Sequence, residues 1–273
     1  MEVYIGAGVL FFIWLTVFII STKKKARKQE LMSKPLSADH LAILQKNFKV
    51  YQKLSEEQQK QLFGLINVFI DEKDFTGCEG LEITDEIKVT VAAQACLLLL
   101  NNRTQPWYRK LHTILIYPSA YVAKSKTQEA DVISEGDSVR LGESWGAGSI
   151  VLSWSHSRHG GVNFNDGANV VLHEFAHQLD QVDGPADGVP NFDSQSSYMD
   201  WANILGKEYK KLVHKTVKNQ KTLLDKYGAT NEAEFFSVAT ECFFEKPRQM
   251  SKKHPELYLN LSKYYGLDPK EWD

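Results

Sequence analysis

The 273-residue chain lacks several features that would place it at once. Its three cysteines, Cys78, Cys96 and Cys242, are an odd number and form no C-x-x-C pair, a usage that suits a reducing compartment. Each is expected to be a small buried side chain. The formal net charge is only −2, so there is no basic field to attract nucleic acid. Internal repeats and low-complexity tracts are absent as well.

One long apolar run is present. VYIGAGVLFFIWLTVFII, Val3 to Ile20, carries no charge. Eighteen helical residues span about 27 Å, close to the hydrocarbon thickness of a bilayer. Glu2 is the only charge before it, and STKKKARK follows, the reverse of a cleaved signal peptide. Lys23, Lys24, Lys25, Arg27 and Lys28 would hold the following chain on the cytoplasmic side. The expectation is a single-pass membrane anchor in residues 1–22, a basic polar linker in 23–36, and a cytoplasmic domain in 37–273. With 43% hydrophobic and 24% charged residues, that domain can bury a core.

Within the domain, Ser37 and Ser55 read as helix caps, the second with Gln58 as a capping box. Leu62, Leu65, Ile66 and Phe69 repeat at helical spacing. Asp85 to Leu100 reads as a helix buried on all sides. Three segments read as strands, Leu111–Pro118, Ser138–Trp145 and Ser149–Trp154, the last two joined by a hairpin loop at 146–148. From Asn169 onward the pattern is mostly helical. The expected class is α+β, with a small antiparallel sheet beside helices.

The chemistry concentrates in NVVLHEFAHQLD, Asn169 to Asp180. His173 and His177 are four apart, on one helix face, so two imidazoles can reach one tetrahedral Zn²⁺. Glu174 stands beside the open coordination position, where a carboxylate can take a proton from bound water. Asn165 or Asp166 could cap this helix, and Asp180, two turns after His173, could accept from an imidazole N–H. A third ligand is required. Glu234 and Glu241, seven apart on an apolar helix pattern, both qualify, and spacing does not choose between them. Tyr227 could donate to an oxyanion. His156 and His159 lie in SWSHSRHGGVNFN, read as a flexible surface loop. Asp180, Asp183 and Asp187 lack the calcium-loop pattern and read as turn formers. His40, His112, His214 and His254 read as structural.

HEFAHQLD at 173–180 together with YGATNEAEFF at 227–236 resembles the Mlc titration factor A family, bacterial zinc-dependent aminopeptidase-like enzymes. The tyrosine seven residues before a glutamate is also similar to the protease domain of anthrax lethal factor, both of the gluzincin type. VLSW at 151–154 and QLDQVDGPADGVP at 178–190 extend the likeness over most of 37–273. The resemblance implies a zincin-like fold and one Zn²⁺ held by His173, His177 and Glu234. It implies Glu174 as general base and Tyr227 as transition-state donor, leaving Glu241 an outer role. A peptide or protein is the implied substrate, and its backbone could pair with an edge strand near Ile150–Trp154. The membrane placement, a bacterial inner membrane with the domain on its cytoplasmic face, follows from the apolar run and its basic flank, and nothing in the resemblance requires it. The family is also linked to sequestering a transcriptional repressor, which implies a regulator as an alternative partner.

Overall fold

The computed structural model describes residues 2–101, 107–129, 132–140, 142–145, 148–182, 184, 186–190 and 195–272. It opens with one uninterrupted helix, α1 (Glu2–Ser33). Residues 23–33 are therefore helix, not the expected linker. No glycine or proline occurs between Lys23 and Lys34, and the Lys, Arg, Glu, Leu and Met residues there favour helix. Helix α2 (Ala38–Asn47) follows with Ser37 as its cap, and α3 (Glu56–Glu72) begins at the Ser55–Gln58 capping box.

The end of α1 is clamped on α3. Arg27 pairs with Asp71, and Lys28 Nζ sits 3.6 Å over the Trp107 ring. Asn67 Nδ2 donates to the carbonyls of Leu31 and Lys34 at 3.3 and 2.9 Å. A Cβ on Gly64 would lie 2.3 Å from the Met32 carbonyl oxygen, so the two helices meet backbone to backbone. Further up α1, Phe12, Trp14, Val17, Phe18, Ile19 and Ile20 are exposed. Among the described residues no helix is long and apolar enough to cross a membrane. The side chains of residues 2–11 and 13, and with them about half of the run Val3–Ile20, lie outside that description.

The sheet is mainly parallel, which corrects the antiparallel expectation. β1 (Asp74–Gly77), β2 (Thr113–Tyr117) and β6 (Ser149–Ser153) run parallel, and β5 (Gly142–Trp145) pairs antiparallel with β6. The order is β1-β2-β6-β5. β1 is four residues long, DFTG, too short for a periodic signal, yet it forces the crossover through α4 (Asp85–Leu97) that makes β2 parallel. The segment read as one strand, 138–145, divides. Its first part ends β4 (Val132–Arg140), which among the described residues pairs with β3 (Tyr121–Glu129) alone, in a separate two-stranded antiparallel sheet. β5 does pair with β6, Trp145 opposite Ser149, while residues 146 and 147 of the expected hairpin loop lie outside the described residues.

After β6 the chain forms α5 (Trp154–Val162), α6 (Val170–Asp180), α7 (Gln195–Val217), α8 (Glu232–Glu245), α9 (Pro247–Lys253) and α10 (Pro255–Tyr265). The segment SWSHSRHGG is thus helical rather than a loop, because Ser153 caps it by accepting from the His156 N–H at 3.5 Å. Helix α4 is buried at Ile87 and from Val89 to Leu97, as its all-round apolar pattern predicts. Phe175 of α6 packs on Tyr108 and Phe69 with centroids 4.8 and 5.6 Å apart, which seats α6 at the centre of the core.

Candidate metal centre

Helix α6 presents its two histidines to α8. Asn169 caps α6, its side chain accepting from the Leu172 N–H at 3.0 Å. The cap is therefore neither Asn165 nor Asp166. Asp166 is occupied in a turn, accepting from the Ala168 N–H at 3.0 Å. One helical turn apart, the His173 and His177 rings lie 4.9 Å from centroid to centroid.

Across from them, Asn231 caps α8 by accepting from the Glu234 N–H at 2.9 Å, which fixes Glu234 in the first turn. Glu234 Oε2 lies 2.9 Å from His173 Nε2 and 3.3 Å from His177 Nε2. These three residues form a cluster able to hold a metal ion. In a tetrahedral site with bonds of about 2.0–2.1 Å, neighbouring donors stand roughly 3.3 Å apart. The two carboxylate–imidazole distances are close to that spacing, all three donors lie within 4.8 Å of one another, and two imidazoles with one carboxylate suit a zinc-type ion.

The geometry separates the two glutamates that spacing left equivalent. Glu241 Oε1 is 2.7 Å from His173 Nδ1, on the opposite side of the ring from Glu234. His173 thus meets one carboxylate with each nitrogen. The bond to Glu241 fixes the tautomer and aims Nε2 at the cluster. Glu241 Oε2 also accepts from the Asn169 N–H at 2.5 Å. Asp180 is not the acceptor expected for an imidazole. Its Oδ2 takes the Gly188 N–H at 2.8 Å, and burial pushes its carboxyl up to about 6.

Two supporting residues have no motif of their own. Glu245 accepts from the N–H groups of Gly167 and Ala168 at 2.7 and 3.2 Å, and from Asn169 Nδ2 at 3.0 Å. Glu245 and Asn169 together hold the start of α6. Their signal was available only as spacing, Asn169 three before Leu172 and Glu245 four after Glu241.

The remaining expected residues fall as follows. Glu174 is buried on α6 beside His173. Tyr227 is 56% exposed in a short 3-10 turn, with its hydroxyl 3.4 Å from Glu234 Oε1 and its ring centroid 6.0 Å from that of His173. His156 and His159 lie on α5, bonded to Ser153 at 2.8 Å and to Asp166 at 3.1 Å, outside the cluster. Asp187 does form a turn, accepting from the Val189 N–H at 2.9 Å, while Asp183 lies outside the described residues. His254 is structural, paired with Glu208 at 2.5 Å.

Electrostatics follow from these partners. Burial works against a charged His173, but its bonds to Glu234 and Glu241 hold its pKa well above the usual range. Burial would raise Glu234, and the bonds from His173 and His177 instead pull it well below the carboxylate range.

Comparison with known proteins points the same way. The family model described as glucose-regulated metallo-peptidase M90 matches residues 22–266. An uncharacterized protein of Synechocystis is 41% identical over 245 residues, covering 89% of both chains. Mlc titration factor A of Yersinia pestis is 29% identical over 236 residues, covering 83% of this chain and 86% of its own. The same protein of Yersinia pseudotuberculosis matches to the same extent.

Proposed function

Since the chain belongs to the glucose-regulated metallo-peptidase M90 family, we propose that it hydrolyses peptide bonds with one zinc ion held by His173, His177 and Glu234. The observation that carries this reading is the donor spacing, 2.9 and 3.3 Å from Glu234 Oε2 to the two imidazoles. Zinc bound there supplies Lewis acidity and lowers the pKa of its water toward about 7. The chain's own residues do the rest. Glu174 accepts the proton of the attacking water and delivers it to the leaving amine. Tyr227 donates its phenol to the developing oxyanion, and its exposure leaves the ring open to an incoming peptide. Glu241 keeps His173 in one tautomer throughout.

The substrate strand is reassigned. β6 is enclosed between β2 and β5, so a peptide backbone would add to the outer side of β5 (Gly142–Trp145) instead. The test of the mechanism is peptide cleavage and bound zinc in the full chain and in Glu174→Gln. Cleavage should fall by at least about a thousandfold with zinc retained. Stoichiometric zinc with undiminished cleavage would sink the mechanism.

A second reading draws on the name of the Yersinia relatives, Mlc titration factor A. On it, the chain binds a transcriptional regulator and the ion is structural. Regulator binding that persists in Glu174→Gln, in a protein that cleaves nothing, would favour it.

The charge-free run Val3–Ile20 and the lysines after it support a single-pass anchor with the domain on the cytoplasmic face. The full chain should sediment with membranes and resist extraction at alkaline pH. Recovery in the supernatant without detergent would overturn the anchor.

A further inference from the structure

A cleft whose lining includes Glu245, the residue that holds the start of α6, contains none of the three candidate metal ligands. It is open to solvent on one side and offers about 580 Å³, a size suited to a small molecule. Two rows of cations face it. Lys49 and Lys53 come from the 3-10 turn Lys49–Lys53, and Arg248 and Lys252 from α9, each pair four residues apart. Glu245 is the one acid among the described lining residues. Its wall is aromatic: Phe164, Phe244 and Trp272 line it, the last two rings stacked with centroids 6.0 Å apart and planes at 26°.

We propose that this cleft binds a small organic anion, a phosphate or carboxylate carried on a flat apolar body, and that its occupancy is felt at the metal centre. Lys49 and Lys252, one from each pair, meet the anionic group and the aromatic wall meets the body. Burial, against the three N–H donors around it, pushes the Glu245 carboxyl up to about 8, which lessens its opposition to an anion near neutrality. The link to the metal centre is a chain of contacts. Glu245 holds Asn169 Nδ2 at 3.0 Å, the Asn169 N–H reaches Glu241 at 2.5 Å, and Glu241 meets His173 Nδ1 at 2.7 Å. A ligand that shifts Glu245 shifts the residue that orients a metal ligand, and the coupling works equally in both directions.

The linkage rests on the metal reading, but the binding itself does not, so binding is measured first on the metal-free full chain. The probes are phenyl phosphate and benzoate, titrated by calorimetry with phenol as the neutral control. One probe should bind at one site per chain, phenol should not, and affinity should fall as salt is raised. Which probe binds more tightly separates a phosphate from a carboxylate ligand. The double variant K49E/K252E should weaken binding at least about tenfold, a loss of about 1.4 kcal/mol. The milder K49Q/K252Q, with unchanged melting temperature, guards against a folding defect. Absence of saturable binding, or equal affinity in both variants, overturns the site. Zinc affinity is then measured by chelator competition with and without the bound probe. A shift of about threefold or more supports the linkage, and it should vanish in K49E/K252E while zinc affinity without probe stays at the wild-type value. Unchanged zinc affinity at saturating probe overturns the linkage.

Discussion

The two ends of α8 each set a glutamate against α6, Glu234 half-buried and Glu245 buried, and the two carboxyls are driven in opposite directions. Glu234, at the first turn, is pulled well below the usual range by two imidazoles, against the effect of burial. Glu245, at the last turn, accepts three N–H bonds yet is pushed up to about 8. Burial and hydrogen bonding are present at both ends. The difference is the charge of the partner: imidazoles that can carry a proton balance a carboxylate, whereas neutral amides only partly compensate its lost hydration. One end is therefore fitted to hold a cation and the other to hold backbone in place.

The sharpest break of that contrast is Glu234→Gln. Removing the negative charge should abolish zinc retention and with it cleavage, read by metal content after dialysis. Glu241→Gln acts one contact further out. An amide still meets His173 Nδ1 but no longer holds the tautomer by charge, so zinc affinity should fall by about 10–100-fold. Zinc affinity equal to wild type would mean that Glu241 merely supports Asn169.

Glu245→Gln is the smallest change and tests the other end. A carboxyl whose folded pKa is raised from its ordinary 4.5 to about 8 binds more protons folded than unfolded between those values. Its contribution to stability is then fullest below pH 4.5 and is lost as pH rises toward 8. The wild type should melt progressively lower across that window, and the glutamine variant should show a flatter profile while keeping its zinc. A wild-type profile as flat as that of the variant would show that the three N–H donors hold the carboxylate charged.

Much of the site was legible before any fold. HEFAH, the apolar setting of Glu234 and the tyrosine seven residues earlier are all local, and a family likeness could weigh them. The caps at Ser37 and Ser55 and the buried α4 were local too. What failed depended on neighbours distant in sequence. Strand direction hung on the four residues of β1, and Asp180 was claimed by Gly188 rather than by a histidine. The presumed linker failed differently. Its helix-favouring residues were visible, but its charge was read as solvation, and the clamp on α3 could be seen only in three dimensions.

By itself the sequence determined that two histidines share a helix face with a carboxylate between them, because the helical repeat is a local property. It also placed Glu234, Glu241 and Glu245 on one stripe, at intervals of seven and four residues. It could not assign them, since residues on one stripe differ only in height along the axis. The packing of α6 against α8 set those heights. Glu234 came to the two Nε2 atoms, Glu241 to the Nδ1 of His173, and Glu245 to the amides that begin α6.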